Sequence, residues 1–342
     1  MKRLTKAPVG SLIAPFVLSL LLSALPAAAI DGTWTQAVGG NQDWLNTANW
    51  FNGIVADGPD ASAIISVDIT ADQNLINAFG KTVGHFFFQD TATGTAGGFG
   101  IGLASEVGTL TLDVSSGRSV FDVGALNTGS GKKISVLLPL VNNDGILKVN
   151  SGQLSLRANS PGLTSDFLSV GGLTDTRSLL SGVTAVQLVG GASFQMDFVN
   201  NTNVNINNLL NPAAPVTLGG SILAPAVAIP PPVLPLTFTI PIDGGGSIIV
   251  SGRAANTNSQ TVASVTFNRG SHGITVNNAG VNSSATFDPT TFTRNAGAVV
   301  NFVNGGAGTS VIKAGGLVND AVGIIGGYAI SGTNWATVSG GG

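Results

Sequence analysis

The sequence predicts an all-β chain, a parallel β-solenoid closed at its N-terminal end by a tryptophan-rich cap, with a β-sandwich as the alternative. Three observations lead there. First, Val, Ile, Thr, Phe, Asn, Ser and Gly dominate, a strand-and-turn composition. The single glutamate, Glu106, and the lack of any Leu/Glu/Lys/Ala stretch with apolar residues three and four apart leave nothing to build amphipathic helices from. Second, charged residues make up 9% of the 342 and there are 48 glycines, far from an average globular composition. With 43% hydrophobic residues the chain still has enough apolar surface to fold. Third, short strands alternate with Gly, Asn, Ser and Asp turns without a strict period, which suits coils that need only stack on their neighbours. A sandwich would show more regular strands and clearer hairpins.

Residues 1–29 read as a signal peptide. Lys2, Arg3 and Lys6 form a positive region, Leu12 to Leu25 is apolar, and Ala27, Ala28 and Ala29 supply the small residues of a cleavage site before Ile30. A membrane anchor is the alternative, but the run is short and broken by Pro15 and Pro26. The mature chain is therefore expected to be exported, secreted or at the cell surface, without a transmembrane segment. Loss of the leader leaves eleven basic side chains against 17 acidic ones, a net charge of −6, which argues against a nucleic-acid partner. Without cysteine there are no disulfides and no Cys-containing metal site, and no cofactor is expected.

Residues 30–60 are the predicted cap. The stretch "WTQAVGGNQDWLNTANW" holds Trp34, Trp44 and Trp50, three of the four tryptophans. The first coil of a solenoid exposes an apolar cross-section and unpaired strand edges that recruit other chains unless covered. Large rings placed just before the first clear strand suit that task, each burying on the order of 200 Å². Exposed, the same indoles would instead be stacking platforms for a sugar.

Residues 61–211 carry the strand grammar, as in "GTLTLDV" and "RSVFDVG". In "GILKVNSGQLSLRAN" the residues Leu147, Val149, Leu154 and Leu156 fall on one face of each strand. Residues 212–245 differ. Eight of the fifteen prolines sit in 212–241, removing the amide donors a central strand needs. This reads as a linker or as an extended loop lying along the solenoid, docked through its apolar residues. Residues 246–342 resume the grammar as a solenoid continuation.

The opening stretch, followed by Pro59 and Ala63, resembles the entry segment of bacterial surface proteins with autotransporter-associated β-strand repeats, which open with W-x-G-G-x-x-x-x-W-x-x-x-x-N-W. The closing stretch "IIGGYAISGTNWATVSGG", residues 324–341, is similar to a motif within such proteins through Gly326-Gly327-Tyr328-Ala329 and Asn334-Trp335-Ala336. The resemblance implies an exported, right-handed parallel β-helix. The family's "GTLTLTGANTYSGGT" repeats and membrane barrel are missing, so self-transport is not implied. An ending on "SGGG" straight after a motif that normally continues points to a truncated product.

Chemistry is sparse in the sequence. Asp57 and Asp60 lie at a Pro-Gly turn, where Asp is ordinary, and Asp68 and Asp72 are the other close pair. His85 sits beside three phenylalanines, as a strand residue satisfied locally. His272 lies in a turn without a carboxylate to orient it. "GALNTGSGKK", residues 124–133, lacks the glycine spacing and final Ser/Thr of a phosphate-binding loop. The expectation is a non-catalytic, adhesive surface scaffold meeting polysaccharide or cell-surface matrix. The alternatives are a carbohydrate-binding module using the tryptophans and a degenerate glycan-active β-helix enzyme, which would bring three or more carboxylates into one groove.

Overall fold

The computed structural model describes residues 28–90, 97–124, 132–201, 206–220 and 244–339. The leader up to Ala27, most of the proline-rich stretch (221–243) and most of the 124–133 segment lie outside the described residues. The fold is all-β, 48% strand and 2% helix, the helix confined to single 3₁₀ turns at Thr47–Asn49 and Phe51–Gly53. No helix among the described residues is long and apolar enough to cross a membrane.

Two long sheets run through the molecule. The first passes from Gly32–Trp34 through Gly58–Ile65, Thr82–Phe88, Ser119–Val123, Ile146–Val149, Phe167–Val170, Val186–Val189, Pro215–Leu218 and Ser264–Phe267 to Phe292–Arg294. The second passes from Gly40–Asp43 through Gln73–Ile76, Phe99–Ile101, Ile134–Val136, Gln153–Leu156, Leu173–Thr176, Ser193–Asp197, Ser247–Gly252 and Gly270–Asn278 to Ala298–Gly306 and Ala329–Ser331. The chain visits them alternately, and each strand pairs in parallel with the next of its own sheet. A third side carries Leu110–Leu112 paired with Leu140–Val141, bridges at Asn142–Leu163 and Leu180–Leu210, and finally a small sheet of Thr257–Val262, Ser284–Pro289 and Thr309–Ile312. Parallel stacking of this length is consistent with a β-solenoid. Among the described residues the only antiparallel strand pair is Ala329–Ser331 with Asn334–Trp335, whereas a sandwich is built from antiparallel pairs.

Coil length varies widely. Leu154 pairs with Thr174 and Thr174 with Phe194, but Phe194 pairs next with Ile248, so no fixed repeat exists to be read. The long offset contains the proline-rich region. Because Ser193–Asp197 pairs directly with Ser247–Gly252, that region is an insertion within one sheet and does not link two solenoids. Its first part is not loop either: Pro215–Leu218 is a strand of the first sheet, with Pro215 as the exposed first residue, where a missing amide is tolerated.

The interior is one apolar cluster reaching from Trp34 to Ala336. Side chains at matching positions of successive coils stack on one another: the Phe86 and Phe121 rings are nearly parallel, with centroids 5.3 Å apart, close to the spacing of neighbouring strands. Each fully buried Phe contributes roughly 2–3 kcal/mol of hydrophobic stabilisation. Asparagine works the corners as its composition suggested. Five of the seven non-glycine residues with positive φ among those described are Asn (52, 77, 150, 208 and 282), a conformation Asn adopts at low cost. Coil-to-coil amide bonds join Asn74 to Asn41 (3.0 Å) and Asn295 to Asn268 (2.6 Å).

The strand phase differs from the expectation at one point. Leu147 and Val149 share a face, but in Ile146–Val149 it is Ile146 that joins the main core, while Leu147 and Val149 belong to a separate cluster. Inward, beneath Phe121 and in register with it, stands Lys148.

Candidate functional site

The three predicted site tryptophans lie together at the start of the sheets. Trp34 ends the first strand of the first sheet, so the 30–60 segment already contains strands, Gly32–Trp34 and Gly40–Asp43. Trp44 follows the second of these, and Trp50 sits between the 3₁₀ turns. Trp34 and Trp50 meet edge to face at 5.0 Å, Trp44 and Trp50 at 4.7 Å, and Trp44 reaches Phe86 of a later coil at 6.1 Å. Trp34 Nε1 donates to the buried Gln73 Oε1 (2.8 Å), and Trp50 Nε1 donates to Trp44 O (2.7 Å). All three rings are at most 2% exposed. A ring buried to that degree offers no face to a sugar.

The chain from Trp50 to Asp57 returns antiparallel along Gly32–Trp34, through bridges at Trp34–Trp50 and Ile30–Asp57 and a bond from Thr35 N to Asn49 O of 2.9 Å. It packs so closely that a Cβ on Gly32 would lie 2.5 Å from Ala56 N, so only glycine fits there. At the predicted cleavage site, Ala29 and Ile30 are exposed, with Ile30 held by its pair of backbone bonds to Asp57; Ala27 lies outside the described residues.

Most carboxylates are engaged in ion pairs or backbone bonds. Asp57 meets Lys81 at 2.7 Å and Asp72 meets Lys132 at 2.6 Å, while Asp60 accepts Ser115 N at 2.8 Å. The Lys132 ammonium holds the Asp72 carboxyl below its ordinary range. The most connected polar group was not visible in the sequence: on the outer face of the second sheet, Arg177 Nε lies 3.1 Å from Asp175 and 3.2 Å from Asp197. Asp175 also accepts from Gln153 (2.7 Å) and Ser155 (2.8 Å), and Asp197 from Asn200 Nδ2 (2.8 Å). Both carboxylates are thus held by protein donors on the face of the sheet. Among the described residues no group of three His, Asp or Glu could hold a metal ion.

The histidines are structural. His272 lies in the strand Gly270–Asn278, not in a turn, and is buried. Its Nδ1 accepts Gly246 N (3.3 Å) and its Nε2 donates to Asn268 O (2.7 Å), and burial pushes its pKa down. His85, in the strand Thr82–Phe88, accepts Val120 N (3.3 Å) and is likewise shifted down by burial.

Lys148 is fully buried within the coil. Its Nζ donates to Asn150 O (2.6 Å) and Gly171 O (2.7 Å), stitching two successive corners, and a Cβ on Gly172 would come within 2.3 Å of that nitrogen. Burial lowers its pKa to about 7, against a partial opposing pull from Asp122. Asp122 is itself raised by burial, and Lys133 is lowered by burial. The unfolded chain therefore holds a proton on Lys148 between pH 7 and its ordinary value of about 10.4 that the native chain does not. Stability is expected to rise with pH across that window, by up to about 1.4 kcal/mol per pH unit. Chemical denaturation at pH 7, 8 and 9 should show this slope in the wild type and most of it lost in Lys148→Met; equal slopes in both would contradict the assignment.

At the far end of the molecule an open cleft of about 1480 Å³ is lined by Phe292, Phe302, Ile312, Leu317 and Asn319, with Trp335 on its rim. Trp335, 54% exposed, is the one tryptophan that offers its ring to solvent. It belongs to a short antiparallel turn, Asn334–Trp335 against Ala329–Ser331, that covers the last edge of the second sheet. Thus the two stretches that carry the family resemblance both fold back antiparallel on a parallel sheet. No protein-family model, curated protein or solved structure matches the chain.

Proposed function

We propose that the chain is a non-catalytic exported scaffold: a right-handed β-solenoid, secreted or held at a bacterial surface, capped by Trp34, Trp44 and Trp50, whose long polar sides pack against polysaccharide or surface matrix. The observation that carries this reading is the single apolar core continuous from one end to the other, together with outer carboxylates tied up in ion pairs. Such a body supplies length and lateral surface. The exposed Ala29–Ile30 bond supports processing there, and a mature N-terminus at Ile30 in protein recovered from an expressing bacterium is the expected result of sequencing.

A second reading has one observation of its own, the exposed Trp335 at a cleft with amide-bearing residues. Sugar stacking would then belong to this tryptophan and not to the N-terminal three. One experiment tests both readings. The mature chain, passed over immobilised pectin, alginate and xylan, should be retained without releasing reducing ends. Turnover would refute the scaffold. Retention abolished by Trp335→Ala would assign the binding to the cleft, whereas retention unchanged by it would leave the lateral faces as the binding surface.

A further inference from the structure

The outer face of the second sheet carries two basic side chains that the fold leaves without a counter-charge. Ile134, Val136, Leu154 and Leu156 point into the main core. Neighbouring residues along a strand point the opposite way, so Lys133, just before Ile134–Val136, and Arg157, just after Gln153–Leu156, stand on the outer face. Ladder bonds from Arg157 N to Val136 O (2.9 Å) and from Arg177 N to Leu156 O (3.0 Å) set the two arginines at one level of successive coils, about 4.8 Å apart along the sheet. Like charges placed side by side repel. Arg177 is balanced by Asp175 and Asp197. Arg157 is exposed, and neither its side chain nor that of Lys133 enters an ion pair or hydrogen bond among the described residues. Lys133 is partly buried, and burial lowers its pKa, with Arg177 and Arg157 adding to that shift and Asp175 and Asp197 opposing it. The fold therefore bears the repulsion at Arg157 without an internal contact in return.

We infer that Arg157 and Lys133 bind the carboxylates of an acidic polysaccharide laid on the outer face of the second sheet, an inference that rests on the reading of the lateral faces as the polysaccharide-binding surface. Charge complementarity selects the ligand. A guanidinium matches a carboxylate as a planar fork, and Arg177 makes contacts of this kind in the same row, with Nε 3.1 Å from Asp175 and 3.2 Å from Asp197. Arg157 has the same chemistry and no protein carboxylate. The two aspartates are not available to it in full, being shared already with Arg177, Gln153, Ser155 and Asn200. The mature chain as a whole is acidic, so a polyanion is attracted only where cations are locally in excess. Neither Arg157 nor Lys133 lines the cleft beside Trp335; they stand on a sheet face, along which an extended polymer can lie.

Titration calorimetry with alginate oligosaccharides in calcium-free buffer tests this, with the same oligosaccharides after reduction of their carboxyl groups as the neutral probe. The protein should bind the acidic form and not the reduced one. Arg157→Gln and Lys133→Gln should each weaken binding by roughly tenfold or more, the loss expected when a hydrogen bond between charged groups is removed. Arg269→Gln is the control: this arginine is exposed, its side chain likewise has no ion pair or hydrogen bond among the described residues, and it lies at a corner of a later coil. Its removal should leave the affinity unchanged. Arg157→Gln decides the outcome, because a side chain without partners is not needed for folding, and strand circular dichroism should be intact. Unchanged affinity in Arg157→Gln, an equal loss in Arg269→Gln, or equal binding of the reduced oligosaccharides would each overturn the inference while leaving the lateral faces a polysaccharide surface. Absence of binding to alginate with retention on pectin or xylan would do the same. No retention on any of the three polymers would remove the scaffold's proposed partner, and this site with it.

Discussion

Trp50→Ala is expected to destabilise the protein by about 4 kcal/mol and to make it aggregate. The size follows from truncating a fully buried aromatic, typically 3–5 kcal/mol, at a position where relaxation is hindered on both sides. Trp34 and Trp44 each pack edge to face against this ring, and its N–H holds Trp44 O. Aggregation follows from where the cavity opens. Residues 50–57 shield the free edge of Gly32–Trp34, and an unprotected edge is a template for another strand. Urea unfolding with light scattering measures both effects. In the wild type, tryptophan emission should be blue-shifted for the buried three, with iodide quenching a minor fraction belonging to Trp335. A Trp50→Ala protein as stable as the wild type, with indoles freely quenched by iodide and protected by an oligosaccharide, would return the N-terminal cluster to sugar binding.

The strand-and-corner grammar was legible because its physics is local. Asn and Gly mark left-handed corners wherever the fold puts them, and β-branched runs mark strands whichever partner they find. The phase of a strand is a different matter. In Ile146–Val149 three of four residues are apolar, so polarity alone places Lys148 outside and Leu147 with Val149 inside. The coil reverses this because Lys148 reaches the corner carbonyls of Asn150 and Gly171, while Leu147 and Val149 form a separate buried cluster with Val120, Leu168 and Val189. Asn150 follows the strand directly, but Gly171 and the partners of Leu147 and Val149 belong to other coils.

Both ends illustrate the same limit. The crowding of tryptophans at 34–50 was visible, and all three rings are buried. That the chain returns antiparallel from Trp50 was not visible, since the bridge from Trp34 to Trp50 depends on the 3₁₀ turn Thr47–Asn49 before Trp50. Trp335 looked like part of a motif, and only its place on a terminal turn makes its ring exposed. Pro215 signalled a loop through its missing amide, yet it stands first in a strand, where that amide is not needed.

Arg177→Met is expected to cost about 3 kcal/mol. Asp175 and Asp197 are almost wholly buried, their side chains 1% and 5% exposed, and removing the cation between two such carboxylates leaves uncompensated charge in a poor solvent, typically 3–5 kcal/mol. The lower end applies because Lys133 is close enough to feel both carboxylates, and because Gln153, Ser155 and Asn200 still donate to them. The sequence hides this triad because, although Asp175 and Arg177 are two residues apart, Asp197 comes from the next coil and joins them only through the register that sets Asp175 beside Gln195. Charge and shape separate cleanly here. Met preserves most of the packing of the Arg stem, so adding Asp175→Asn and Asp197→Asn to Arg177→Met should recover most of the loss if repulsion and desolvation cause it. Denaturation midpoints of the single and triple variants decide the matter. A triple variant no more stable than Arg177→Met would mean that Arg177 acts through its packing, and that the charged row on the second sheet contributes solubility and surface character without holding the coils together.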